Sequence, residues 1–163
     1  MTYRVGLGYD SHRFADGGPL RLGGIDIAFD KHLVGHSDGD AIAHAVTDAV
    51  LGAIGAGDIG ELLSDRDPAN RGRDSLQMLG VAVSRVRGAG YRVSQIDVTV
   101  IAEAPRIAPY REAMQIELAR ILCVEPSSVS VKGKTNEGMG WIGRGEGLAC
   151  LAVATIAPNE SER

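Results

Sequence analysis

The order of residues predicts an α/β (α+β) fold in a single domain. Three observations carry this. Alternating, β-branched runs are interspersed with segments of helical period, glycine and proline clusters separate them, and no repeat or linker divides the chain. A length of 163 residues suits one core, and 44% hydrophobic with 23% charged residues is the balance of a globular protein. Aromatics are only 4%, so Ala, Val, Ile and Leu must fill that core.

Residues 3–9 alternate as a strand, in which Gly6 and Gly8 mark a close approach by another backbone. Two short apolar runs, 20–22 and 25–27, flank Gly23-Gly24 and read as a hairpin. Asp38-Gly39-Asp40 puts acidic groups at the start of a helix running to about Ile54, with an apolar stripe of Ile42, Ala45, Val46, Ala49, Val50 and Ala53. Residues 56–74 are polar and irregular, and a loop that long in a compact domain is functional or mobile. Residues 75–87 form a second helix, stopped by Gly88-Ala89-Gly90. Residues 91–101 form a β-branched strand with Ile96, Val98 and Val100 on one face. Pro109 opens a third helix reaching Cys123. A short strand at 128–132, a glycine-punctuated loop at 133–147 and an apolar strand at 148–156 follow. The domain is expected to span 1–157, with 158–163 a frayed tail.

The net charge of −4, from 17 Lys+Arg against 21 Asp+Glu, comes with no basic run, which argues against a nucleic-acid surface. The apolar runs are too short to span a bilayer, and the first ten residues lack the pattern of a secretory signal. Cys123 and Cys150 sit in apolar runs without metal-type spacing. Both are expected to be buried reduced thiols in a cytoplasmic protein.

Three of the four histidines cluster early with a carboxylate: Asp10, His12, His36 and His44. Asp10 and His12 are two apart at a strand end and so share a face. His44, on the following helix, can supply a third ligand, leaving one position of a tetrahedral ion open, as catalytic sites require. Asp40 and Asp48 lie one helical turn either side of His44, and either could accept its second ring N–H. The simpler reading is that His12 and His44 are unrelated polar residues, since local spacing cannot bring a strand end to a helix.

Gly8-Tyr9-Asp10-Ser11-His12, Gly35-His36-Ser37-Asp38-Gly39-Asp40, His44-Ala45, Thr47-Asp48-Ala49, Gly57-Asp58-Ile59-Gly60 and Gly143-Arg144-Gly145-Glu146-Gly147 stand in an order that closely resembles the 2-C-methyl-D-erythritol 2,4-cyclodiphosphate synthases. The match runs over essentially the whole chain, and no fused cytidylyltransferase is expected. The resemblance implies an α/β subunit with a mixed β-sheet covered by helices on one face, three of which assemble as a homotrimer around the sheets, with active sites between subunits. It implies closure of 4-diphosphocytidyl-2-C-methyl-D-erythritol 2-phosphate to the cyclic diphosphate, with loss of CMP, in the non-mevalonate isoprenoid pathway.

The resemblance also assigns roles. Asp10, His12 and His44 would hold a zinc-type ion, and Glu137 a magnesium or manganese ion on the diphosphate. His36 and Ser37 would hold the attacking 2-phosphate and the erythritol part. Lys134, Thr135 and Asn136 fall where phosphates are contacted, with His36 and Thr135 as the catalytic pair. Asp58, Ile59 and Gly60 match the ribose contacts. Leu63, Ser64, Asp65, Arg66 and Asp67 match a flexible loop over the erythritol. Ala102, Glu103, Ala104, Pro105, Arg106, Ile107 and Ala108 match the cytosine pocket. Trp141 and Arg144 match the lining of a threefold cavity that can hold an isoprenoid diphosphate, where carboxylates such as Glu146 would offset the arginines. The rivals are a metal-dependent phosphohydrolase, a binding module for a nucleotide or anion, and a metal-stabilised structural protein.

Overall fold

In the computed structural model, residues 2–159 are described; Met1 and 160–163 lie outside them. Five strands form one mixed sheet: β1 (Arg4–Asp16), β4 (Lys31–Leu33), β5 (Tyr91–Ile101), β6 (Val129–Lys134) and β7 (Gly147–Pro158). Their spatial order is β4-β1-β7-β5-β6. β1 runs antiparallel to β4 and β7, β5 antiparallel to β7, and β6 parallel to β5. β2 (Leu20–Leu22) and β3 (Ile25–Ile27) form the expected hairpin, whose two glycines take positive φ. The helices α1 (Ala41–Ala53), α3 (Ser75–Gly88) and α4 (Arg111–Leu122) cover one face of the sheet, α1 on β1 and β7, α3 on β5, and α4 on β6. Two four-residue helices, α2 (Ile59–Leu62) and α5 (Gly140–Gly143), lie in segments read as loops.

The joint between β1 and α1 decides where the site forms. A Cβ on Gly6 would stand 1.9 Å from the Ala49 carbonyl oxygen, and one on Gly8 would stand 1.8 Å from that of Ala45. Only hydrogen fits, so the helix lies directly on the strand backbone. α1 is correspondingly rich in alanine, with Ala41, Ala45 and Ala49 fully buried. Its N-cap, Asp40, is also fully buried and accepts N–H bonds from Ala43 at 3.0 Å, Gly23 at 2.8 Å and Gly24 at 2.7 Å. One carboxylate thus caps the helix and fastens the hairpin to it.

Several boundaries differ from those read in the sequence. β1 continues through polar residues to Asp16 because β7 pairs with it as far as Arg13 and β4 pairs with it from Phe14 to Asp16. β4 is only three residues long and mostly polar, so it leaves no period to read. At the chain end, Pro158 closes β7 and the Asn159 N–H donates to Gly90 at 2.9 Å, so the expected fraying does not begin there. Residues 160–163 of the expected tail lie outside the described ones. Cys150 is buried as expected, but Cys123 is exposed. It forms the C-cap of α4 with φ 57°, where the chain leaves the helix and the side chain loses its apolar neighbours.

A methyl at position 8 has nowhere to go, whereas Gly80 in α3 has nothing within 4 Å of a built Cβ. Gly8→Ala should therefore cost about 3 kcal/mol of unfolding free energy. Gly80→Ala should gain about 0.5–1 kcal/mol. Urea midpoints of the two variants check both signs.

Candidate metal centre

Period-two alternation turns Asp10 and His12 toward the same face as Gly6 and Gly8, under the first turn of α1, and His44 comes down from that turn. Three ligand atoms converge. Asp10 Oδ2 lies 2.8 Å from His12 Nε2 and 3.0 Å from His44 Nδ1, and the two ring nitrogens are 3.3 Å apart. Ligands at about 2.0–2.1 Å from a tetrahedral ion stand about 3.3–3.4 Å from one another, so the imidazole pair has the spacing of such an ion and the carboxylate oxygen is slightly closer. These are hard and borderline donors of the kind zinc and its neighbours accept, and the three residues fit a divalent cation.

The surroundings orient both rings. His12 Nδ1 lies 2.7 Å from the Val34 carbonyl oxygen, which can only accept, so Nδ1 carries the proton and Nε2 faces the centre. His44 Nε2 lies 2.9 Å from Ser37 Oγ and 2.8 Å from Ser75 Oγ. Ser75 Oγ in turn donates to Asp38. Asp40 and Asp48 were the expected partners of this ring, and the structure gives them other work. Asp40 holds the hairpin, and Asp48 accepts the Ile59 N–H at 2.8 Å, fastening α2 to α1. Their carboxylates are taken up by these backbone N–H groups, while His44 Nε2 faces Ser37 and Ser75.

Without a cation Asp10 and His12 each shift the other's titration. Burial pushes Asp10 up, but the hydrogen bonds from His12 and His44 and their charge hold it below its ordinary value. Burial disfavours charge on His12 too, yet the hydrogen bond and charge of Asp10 raise it above its ordinary value. Burial raises Asp40 and Asp48, more than their N–H donors lower them.

A cavity of about 300 Å³ opens over the three ligands, lined also by His36, Ser37, Ile59, Gly60, Leu63 and Asp65, all anticipated, and by Asn70 and Met78, which were not. It adjoins a second of about 300 Å³ that shares His36, Asp65 and Asn70 and adds Arg66 and Arg71. Asp58 caps α2 through the Glu61 N–H at 2.9 Å, so its turn role is present. Asp67 likewise caps the Pro68–Asn70 turn through Ala69 N–H at 2.9 Å, and the Ser64 carbonyl accepts from Asn70 Nδ2 at 2.9 Å.

The remaining expected contacts gather elsewhere. Ala102, Glu103, Pro105, Arg106, Ile107, Ala108, Lys134 and Thr135 line a cavity of about 200 Å³ together with Arg111 and Gly133; Ala104 belongs to the same loop but not to this lining. Glu103 accepts the backbone N–H groups of Asn136 at 2.9 Å and Gly138 at 3.2 Å, and Asn136 Nδ2 donates to Met139 at 2.8 Å. Both side chains shape the turn that carries Glu137, which is exposed at φ 53° and lines none of these cavities. Trp141 borders a further cavity of about 240 Å³ with Ser11, His12, Arg13 and Glu146. Arg144 is 3.0 Å from Glu146, the pairing its charge called for. The metal-side cavity and the 102–108 cavity have no lining residue in common. In the single chain the anticipated contacts therefore fall in two separate cavities.

The YgbB family profile matches residues 3–157. The chain belongs to that family. It is 63% identical over 156 residues to the 2-C-methyl-D-erythritol 2,4-cyclodiphosphate synthase of Gemmatimonas aurantiaca, covering 96% of this chain and 94% of that one. Among solved structures, the IspF–CDP complex of Plasmodium falciparum superposes with a TM-score of 0.86 at 34% identity over 98% of both chains. The bifunctional IspDF of Campylobacter jejuni gives a TM-score of 0.94 at 38% identity, covering 99% of this chain but 44% of that longer one. Asn70, Arg71 and Arg111 had no signal in the sequence, since each lies in a loop or at a helix start read for its turn chemistry alone.

The Asp10–His12 pair gives the metal-free protein a pH signature. The lowered Asp10 contributes stability that is fully present above pH 3.8 and lost as pH falls through its folded value. The raised His12 contributes stability that is fully present below pH 6.5 and lost as pH rises through its folded value. Urea midpoints in a chelating buffer should therefore show both contributions between pH 3.8 and 6.5 and a decline on either side that Asp10→Asn flattens.

Proposed function

We infer that this chain converts 4-diphosphocytidyl-2-C-methyl-D-erythritol 2-phosphate to 2-C-methyl-D-erythritol 2,4-cyclodiphosphate and CMP, acting as a phosphorus–oxygen lyase of the non-mevalonate isoprenoid pathway. The observation that carries the reading is the meeting of Asp10, His12 and His44 under an open cavity, in a chain that matches a 2-C-methyl-D-erythritol 2,4-cyclodiphosphate synthase over 96% of its length. The CDP complex of its structural neighbour supports a cytidine nucleotide as the ligand here.

An oxygen of the substrate's own 2-phosphate forms a bond to the β-phosphorus, and the bond from that phosphorus to the α-phosphate oxygen breaks, its electron pair leaving with CMP. The nucleophile is already ionised, so charge repulsion and alignment are the obstacles rather than proton transfer. Asp10, His12 and His44 would hold a zinc-type ion and Glu137 would take part in holding magnesium or manganese; bound there, such ions would offset phosphate charge and make the phosphorus more electrophilic. His36 and Ser37 orient the 2-phosphate from the mouth of the metal-side cavity. Lys134 supplies a point charge and Thr135 a directional donor on the opposite side. Asp58 and Gly60 receive the ribose, and the 102–108 backbone reads the cytosine edge. Holding both ends of a flexible substrate in line supplies several kcal/mol, on the order of intramolecular effective-molarity gains.

Two half-sites on one chain become one site when subunits meet. Val5, Leu7 and Tyr9 of β1 are 65%, 67% and 54% exposed on the sheet face opposite α1, beside Leu151 and Val153 of β7. An apolar sheet face of this kind is an association surface. Three copies packed by these faces form the homotrimer, with each metal side facing a neighbour's nucleotide side. Trp141 and Arg144 then line the axial cavity proposed for an isoprenoid diphosphate. No helix among the described residues is long and apolar enough to cross a membrane.

Phosphorus NMR of the products tests the chemistry: a cyclic diphosphate with CMP is expected, and linear phosphates would instead indicate the hydrolase. Asp10→Asn and His44→Ala should each lower turnover by about 100-fold or more while the trimer persists. Leu7→Asp should convert a trimer to monomers in light scattering and abolish activity; an active monomer would refute the shared site.

A further inference from the structure

Ser75 has no assigned part in the chemistry, yet it is fully buried and its hydroxyl lies 2.8 Å from His44 Nε2. The direction of each hydrogen bond follows from what its partner can do. Asp38, as a carboxylate, only accepts, so the Ser75 hydroxyl proton points to Asp38. The Ser75 oxygen then presents lone pairs to His44, and Nε2 must carry the ring proton. That leaves Nδ1, the atom 3.0 Å from Asp10 and 3.3 Å from His12 Nε2, to present its lone pair to a bound cation.

Asp38 is itself anchored, accepting the Ser75 N–H at 3.1 Å and the Asp40 N–H at 3.1 Å. Asp40 holds the N-terminus of the helix that carries His44. The other hydroxyl at Nε2, that of Ser37, is 2.9 Å away and 3.3 Å from Ser75, and no carboxylate fixes its direction. Ser37 faces the cavity and is free to turn to a phosphate; Ser75 is not.

We propose that Ser75, polarised by Asp38, is the positioning residue that sets the tautomer of His44 and so raises the cation affinity of the Asp10–His12–His44 centre. The relay runs carboxylate, hydroxyl, imidazole, ligand atom, with a serine standing where many metal sites place the carboxylate directly on the ring. It also divides labour between two adjacent serines: Ser75 serves the metal centre, and Ser37 serves the substrate. The inference rests on the reading of Asp10, His12 and His44 as metal ligands.

The test is zinc affinity, measured by competition with a chromophoric chelator, on the intact protein. Ser75→Ala keeps the backbone N–H that Asp38 accepts, and its melting temperature without metal reports that it folds. It should raise the zinc dissociation constant about 10- to 100-fold, the usual cost of losing an outer partner of a ligating histidine. Ser75→Thr, which keeps the hydroxyl, should restore most of that affinity. Proton–nitrogen NMR of the zinc-loaded wild type should find the His44 proton on Nε2 in slow exchange with solvent, and Ser75→Ala should make that exchange fast. Wild-type zinc binding with Ser75→Ala unchanged in affinity and exchange would overturn the relay alone. A wild type that binds no divalent cation would overturn the relay and the metal reading together.

Discussion

The contact between the β1 backbone and α1 is the constraint on which the rest depends. With hydrogen at positions 6 and 8, the carbonyls of Ala49 and Ala45 reach the strand itself rather than side chains above it. That spacing is shorter than any ordinary helix–sheet layer allows, and it fixes the height of α1 over the sheet. One residue before Ala45 is His44, and two residues beyond Gly8 is Asp10. The metal centre is the continuation of the same joint past its last glycine, where polar groups replace the missing side chains.

Around this joint the buried polar groups form a connected set. Asp40 caps α1 and binds the β2–β3 hairpin, Asp48 ties α2 to the same helix, and Asp38 with Ser75 joins the starts of α1 and α3. Each carboxylate satisfies backbone N–H groups that would otherwise be buried without partners, so each is structural as well as electrostatic. Burial raises Asp40 and Asp48 while the two rings lower Asp10, which separates the carboxylates that bind backbone N–H groups from the one that could hold a metal ion.

The opposite face of the sheet completes the functional picture. A strand with glycine inward and valine, leucine and tyrosine outward inverts the usual alternation. The inversion is economical if both faces are to be covered, one by a helix of the same chain and one by another copy. The cavity over Asp10, His12 and His44 and the 102–108 cavity share no lining residue within the chain.

Sequence alone determined the elements with strong local period: the three long helices, the glycine hairpin, the β5 strand and the closeness implied by Gly6 and Gly8. It also determined that Asp10 and His12 share a face, because a strand alternates regardless of its surroundings. Tertiary structure decided the rest. β4 and the far half of β1 exist only through pairing with each other and with β7, and polar residues there carry no pattern of their own. Cys123 is exposed because a helix ends in a left-handed residue, which its apolar neighbours do not reveal. The partner of His44 proved to be Ser75 rather than Asp40 or Asp48. A side chain 31 positions away reaches the ring only after two helices have packed, and no local spacing encodes that.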